Sequence, residues 1–171
     1  FPDKSIIMGS PAVPRKEFIR QIKGLGEIAA ISKEIKLEEL LKKLVYILLE
    51  NAGAQKVLYL VKKEGNYIVQ AKGSVEGNSI KVLNELNFEN NESLPNKIIY
   101  YVERSMDTII LNDASDSQKY ISDPYIINNK PKSIMCMPVL SKGNILGILY
   151  LENSLIEGAF NDERIEILKI I

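Results

Sequence analysis

Residues 133–153, SIMCMPVLSKGNILGILYLEN, constrain the fold more than any other stretch of this chain. Two uncharged runs, Ile134–Leu140 and Ile145–Leu151, flank the short polar segment Ser141-Lys142-Gly143-Asn144. Two seven-residue runs rich in β-branched and large aliphatic residues, either side of a glycine-bearing turn, predict a β-hairpin. Neither run carries a charge, so both faces of the hairpin are expected to be covered. Phe160-Asn161-Asp162-Glu163-Arg164 then reads as a helix start. Asn161 can accept from free amides there, and the two acids sit well against the helix dipole.

A chain of 171 residues with 46% apolar content can bury one sizeable core. Lys+Arg and Asp+Glu are each 22, so no field of one sign argues for nucleic acid or an anionic membrane. No apolar run approaches the roughly 20 residues of a membrane-spanning helix. Nothing resembles a secretory signal, and the lack of an initiator Met is read as the mark of a fragment. A single cysteine excludes an internal disulfide framework and leads to the expectation of a cytoplasmic setting. There are no histidines at all. That removes the usual imidazole base, the commonest zinc nitrogen ligand and any Ser-His-Asp or Cys-His nucleophile.

Residues 1–23 differ from the rest: three prolines and Gly9 within the first 18 residues suggest extended turns leading into a short helix. From there to residue 171 the sequence reads as one domain. Leu25, Ile28, Ala29, Ser32 and Ile35 form a narrow helical stripe, suited to pairing with another helix or to plain core packing. Leu37–Asn51 carries a wider stripe, able to cover a sheet. Strands are expected at Lys56–Val61, Tyr67–Ala71, Ser79–Leu86 and Thr108–Leu111, with a hairpin across Glu64-Gly65-Asn66. A helix is expected at Asn96–Arg104, with Pro95 in its first turn. The sum is an antiparallel α+β sheet with helices packed on it.

These elements carry two resemblances. The run from Pro131 to Ile171, together with ISKEIKLEELLKKLVYILLENAGAQKVLYLVKKEGNYIVQAKG upstream, resembles a GAF domain. The likeness is to the domain found in large signalling kinases that carry both Ser/Thr-kinase and histidine-kinase modules, and it covers roughly residues 25–171. It implies a GAF-like central antiparallel β-sheet with flanking N- and C-terminal helices and a lid loop. It also implies a regulatory role beside a covalently linked kinase output domain. Separately, Gly9-Ser10-Pro11-Ala12 is similar to the tail of a left-handed β-helix acyltransferase, the UDP-3-O-acylglucosamine N-acyltransferase type. The histidine that such an enzyme needs is absent, so no acyl transfer follows.

Asn112–Lys130, NDASDSQKYISDPYIINNK, is polar and long enough to serve as a ligand-covering lid with a short helical turn. It offers hydroxyls and carboxylates from Asp113, Ser115, Asp116, Tyr120, Asp123 and Tyr125, which are taken as candidate ligand-binding residues. The GAF resemblance implies that this stretch encloses the pocket. Cys136 joins the candidate set from the adjoining strand, although a Cys among Ile134, Met135 and Met137 is usually a small buried hydrophobe. Photoreception through a bilin is not expected, because GAF-like relatives that hold one pair a Cys with a neighbouring His. Relatives that bind cyclic nucleotides carry an Asn-Lys, Phe, Asp-Glu signature. Asn153 and Phe160 match it, but Ser154 replaces the Lys, and Arg164 and Ile165 stand where the acidic pair belongs. No cofactor or metal is therefore assigned.

Two functions remain in view. One is a non-enzymatic regulatory module that binds a small molecule and transmits through its terminal helices. The other is a ligand-free dimerisation scaffold, paired through Leu25–Ile35 and the C-terminal helix Ile165–Ile171, with a vestigial pocket filled by Tyr120, Tyr125 and Met137. A reductase of the methionine-sulfoxide type, a third reading, would need reactive cysteines.

Overall fold

A computed structural model describes Arg20, residues 34–82 and residues 94–168. The N-terminal segment 1–23, most of the Leu25–Ile35 helix, the end of the Ser79–Leu86 strand and the last three residues lie outside the described ones. So, largely, do the two seams assigned to self-association.

Helix α1 (Glu34–Asn51) places Leu41, Val45 and Leu48 on one buried stripe at spacings of four and three, and Ala52, just past its end, is buried beside them. The break expected between Ile35 and Leu37 is not present: α1 already runs through both. Gly53, in the left-handed region at φ 75°, ends it and turns the chain into the sheet. Strands β1 (Lys56–Lys63) and β2 (Asn66–Ser74) form a hairpin across Glu64-Gly65, both at positive φ. Strands β5 (Ser133–Ser141) and β6 (Asn144–Asn153) do the same across Lys142-Gly143. Two central residues with positive φ give the turn whose twist matches the strands, so each hairpin closes over two residues.

With β3 (Ser79–Val82) and β4 (Ile109–Leu111) the strands form one antiparallel sheet in the order β3-β2-β1-β6-β5-β4. Pairing of β1 with β6 brings the first and last strands together at its centre. Alternation then sorts the side chains into two cores. Val57, Ala71, Met135, Met137, Leu149 and Leu151 pack under α1, joined by Ala159 and Phe160. Leu58, Leu60, Ile134, Cys136, Ile148 and Tyr150 face the other side, where α2 (Asn96–Ser105) supplies Ile98, Ile99 and Val102. The hairpin is covered on both faces, as its uncharged runs suggest. Its tip is the exception, where Leu140 and Leu146 are 42% and 56% exposed.

Two glycines mark close approaches. A Cβ on Gly73 would lie 2.2 Å from Val45 Cγ1, so α1 rests directly on β2 there. A Cβ on Gly147 would lie 2.6 Å from the Leu60 carbonyl oxygen and 2.7 Å from the Tyr59 ring. Backbone cannot yield as a side chain can. Gly147→Val is expected to cost about 1–3 kcal/mol through overpacking. Urea melts would check this, and a variant as stable as the parent would mean that β1 and β6 do not approach as described.

Candidate functional site

The segment after β4 forms a lid over the second core. It comprises a 3₁₀ turn (Ala114–Asp116), a run of hydrogen-bonded turns over residues 118–122 and helix α3 (Pro124–Asn129). Asp123 ties it together. Its Oδ1 accepts from the Tyr125 amide at 2.9 Å, capping α3, and its Oδ2 accepts from the Lys97 amide at 3.0 Å. Pro95 precedes α2 instead of entering its first turn, and no side chain of its own caps that helix. The carboxylate from 26 residues away does so. Asp123 is 1% exposed, and its burial is tolerated because both oxygens are bonded.

Tyr125 closes the lid onto the sheet. Its hydroxyl donates to Glu152 Oε2 at 2.8 Å and accepts from Lys56 Nζ at 2.7 Å. The Tyr150 hydroxyl donates to the same carboxylate oxygen at 2.7 Å. The two rings meet edge to face at 6.0 Å, and the Lys56 ammonium stands 4.9 Å from the Tyr125 ring centre. Lys56 and Glu152 are direct partners in the β1–β6 register, which is what brings both charges under one lid residue. The result is a buried latch: α3 is bonded to the two central strands through one phenol. Burial and the Glu152 charge push the Tyr150 hydroxyl well above its ordinary value, so it stays a donor at any physiological pH.

A second fastening holds the far end of α2. Glu103 pairs with Lys62, and Tyr67 packs edge-on to Tyr100 at 6.5 Å. Burial first, then the Glu103 charge, pushes Tyr67 up to about 12. For both tyrosines the folded value exceeds the unfolded value of about 10. Their contribution is therefore complete below about pH 10 and is lost above it, as pH rises through each raised folded value, about 12 for Tyr67. Denaturation midpoints should hold steady to about pH 10 and then fall. A flat profile through that window would contradict these burials.

The other residues singled out in the sequence take different places. Tyr120 is buried in the same core as Tyr125. Cys136 faces that core opposite Tyr150, and burial pushes its thiol up, away from thiolate chemistry. Asp113 accepts from the Ser115 amide and hydroxyl, at 3.0 and 2.6 Å, and so shapes a turn; Ser115 and Asp116 are exposed. Met137 does not join Tyr120 and Tyr125: by strand alternation it lies in the α1 core. Lys56, Tyr150 and Glu152 escaped sequence reading. The one signal available was Tyr150 and Glu152 at i, i+2 on one face of a buried strand. Among the described residues no group of three or more His, Cys, Asp or Glu could hold a metal ion.

At the opposite side of β6, Asn153 organises the exit from the sheet. Its Nδ2 donates to the Gly53 carbonyl at 3.0 Å, and its Oδ1 accepts from the Leu155 and Ile156 amides at 2.9 and 3.0 Å. Helix α4 (Asp162–Leu168) follows, with Asn161 Oδ1 accepting from the Arg164 amide at 3.0 Å as anticipated. The Arg164 guanidinium donates to the Ala159 carbonyl and lies so close to Gly53 that a Cβ there would overlap it. Asn153 and Phe160, the residues matching the cyclic-nucleotide signature, are thus structural: Phe160 is core beneath α1.

An open antiparallel sheet with a long helix on one face and a latched lid on the other defines an α+β sandwich. The chain belongs to the GAF domain family, whose model matches residues 36–171. It is 38% identical over 74 residues to hybrid signal transduction histidine kinase G of Dictyostelium discoideum. That stretch is 43% of this chain, and the match spans only 2% of the kinase. Among solved structures it is similar to the phycocyanobilin-bound GAF domain of a cyanobacterial phytochrome. The TM-score is 0.65 at 17% identity, covering 94% of this chain and 90% of the other. It is also similar to the GAF domain of a phosphoenolpyruvate-protein phosphotransferase from Coxiella burnetii. There the TM-score is 0.60 at 19% identity, with 91% and 88% covered. At such identities the structures share the fold. Among the described residues no helix is long and apolar enough to cross a membrane.

Proposed function

We propose that this GAF domain is a non-enzymatic regulatory module of a cytoplasmic signalling protein, joined in one chain to a kinase. In this reading a stimulus at the lid face alters the setting of the helices that enter and leave the sheet. One observation carries it: the last two residues of β6 serve opposite faces. Glu152 holds the lid through Tyr125, while Asn153 holds the α1–β1 turn and the approach to α4. A shift of α3 is therefore mechanically adjacent to both terminal helices. The hybrid histidine kinase relative supports the kinase partner by likeness. A stimulus transmits only if it favours one helix arrangement over another.

The test is a distance measurement between spin labels on exposed positions of α1 and α4, Lys43 and Glu166, in wild type and in Tyr125→Phe. Releasing the latch should shift or broaden the distance distribution. An unchanged distribution with the fold intact would defeat the relay.

The packing of the lid residues Tyr120 and Tyr125 into one core with Tyr150 favours a second reading, a ligand-free dimerisation scaffold. A thermal-shift screen of metabolites, run beside light-scattering mass, separates the two. Clean dimers that no compound stabilises would favour the scaffold. The phytochrome's bilin and reductase chemistry are not carried over, since the one cysteine is buried and the chain has no histidine.

A further inference from the structure

Helix α2 buries Ile98, Ile99 and Val102 and turns a second stripe outward: Lys97, Tyr100, Tyr101 and Arg104, at i, i+3, i+4 and i+7. The lid residues Lys119 and Tyr120 rise against this stripe and close a cleft of about 450 Å³, within the size range of small-molecule sites. Three cations and three phenol rings line it, a local excess of positive charge in a chain whose charges balance at 22 against 22 overall. Its acidic residue, Glu103, is engaged by Lys62 on β1. Lys119 Nζ stands 3.7 Å from the Tyr101 ring centre and 5.4 Å from that of Tyr120, so this cation is already held at the cleft. Lys97 Nζ is anchored on the Ser122 hydroxyl at 2.6 Å. Tyr100 is 45% exposed, leaving ring surface open to solvent.

The ordinary fate of such a stripe is a solvated helix face. Two features argue otherwise here: two cations bracket two adjacent rings along it, and a second element walls it. We propose that the cleft between α2 and the lid segment is a binding site for a small organic anion bearing a flat ring, of the aryl-phosphate kind. Arg104, with a planar fork of donors, and Lys119 meet the anionic group, while the Tyr100 and Tyr101 rings receive the flat one. The site lies outside the packed lid core, and it stands whether or not the relay proposed above operates. A ligand here would touch α2 and the lid at once and clamp them together. Tyr101, Lys119 and Tyr120 also line a neighbouring cleft of about 1040 Å³, whose lining includes Asp162 and Glu166 of α4.

Phenyl phosphate, inorganic phosphate and phenol provide the test, titrated into this chain and followed by amide chemical shifts. Phenyl phosphate should give saturable shifts confined to α2 and residues 117–122, with affinity about tenfold above inorganic phosphate and falling with salt. Phenol should not saturate. Arg104→Ala and Lys119→Ala should each weaken phenyl phosphate several-fold with unchanged thermal melts, while Lys142→Ala at the distant β5–β6 turn should not. Equal affinity for phosphate and phenyl phosphate would reduce the cleft to general anion attraction and overturn the proposal. Absence of saturation, shifts spread over the whole surface, or variants that bind like the parent would overturn it as well.

Discussion

Glu152→Ala is expected to destabilise the domain by about 3–5 kcal/mol, the range found when one member of a buried charged network is removed. The carboxylate is 5% exposed and accepts from two tyrosine hydroxyls. Its loss strands the Tyr150 hydroxyl in a packed core, at about 1–3 kcal/mol for an unsatisfied group, and takes from the Tyr125 hydroxyl its acceptor while leaving the bond from Lys56. Lys56 also loses its opposite charge across the β1–β6 pair. Glu152→Gln keeps an acceptor and should cost distinctly less. Urea denaturation of the two variants beside the parent would show whether midpoints fall in that order. A Glu152→Ala midpoint equal to wild type would mean that the latch does not hold the lid.

Tyr125→Ala should be comparably damaging, about 3–5 kcal/mol by analogy with other buried aromatic truncations. The ring fills the lid core against Tyr150, and the hydroxyl joins Lys56 to Glu152. Tyr125→Phe separates these roles: it keeps the packing and removes the bonds, so a smaller loss of about 1.5–3 kcal/mol is expected. Tyr120→Ala, buried in the same core without a place in the latch, gives the packing comparison. Were Tyr125→Ala to cost under about 1 kcal/mol, α3 would be a loosely seated cover and not part of the core.

Local grammar carried most of the fold. The two hairpins, the two-sided burial of Ile134–Leu140 and Ile145–Leu151, the stripe of α1 and the Asn161 cap each depend on residues a few positions apart, so a sequence displays them. Asp123-Pro124 is also a local signal, a cap followed by a proline suited to a first helical turn. It marks α3, which the sequence reading reduced to a helical turn within a loop. What stayed hidden is register. Glu152 reads as the polar end of an apolar strand, and Lys56 as the charged start of another. Only the pairing of β1 with β6 places them opposite each other, and only the return of the lid brings Tyr125 between them. Asp123 shows the same limit: one of its two bonds is local and legible, while the other reaches Lys97 across the lid. Met137 is a simpler matter of parity, being one residue from the face that it was assigned to.

The placement of Glu152 and Asn153 on consecutive positions of β6 has a consequence for changes of chain length. Side chains alternate along a strand, so inserting or deleting one residue between Gly147 and Glu152 would exchange the two faces. The carboxylate would turn toward α1 and the amide toward the lid, undoing both attachments in a single step. The turn at Lys142-Gly143 carries neither attachment, and a Cβ on Gly143 would have nothing within 4 Å. Extra residues or a reporter peptide should therefore be accommodated at that turn, while the last third of β6 admits substitutions but not a change in count.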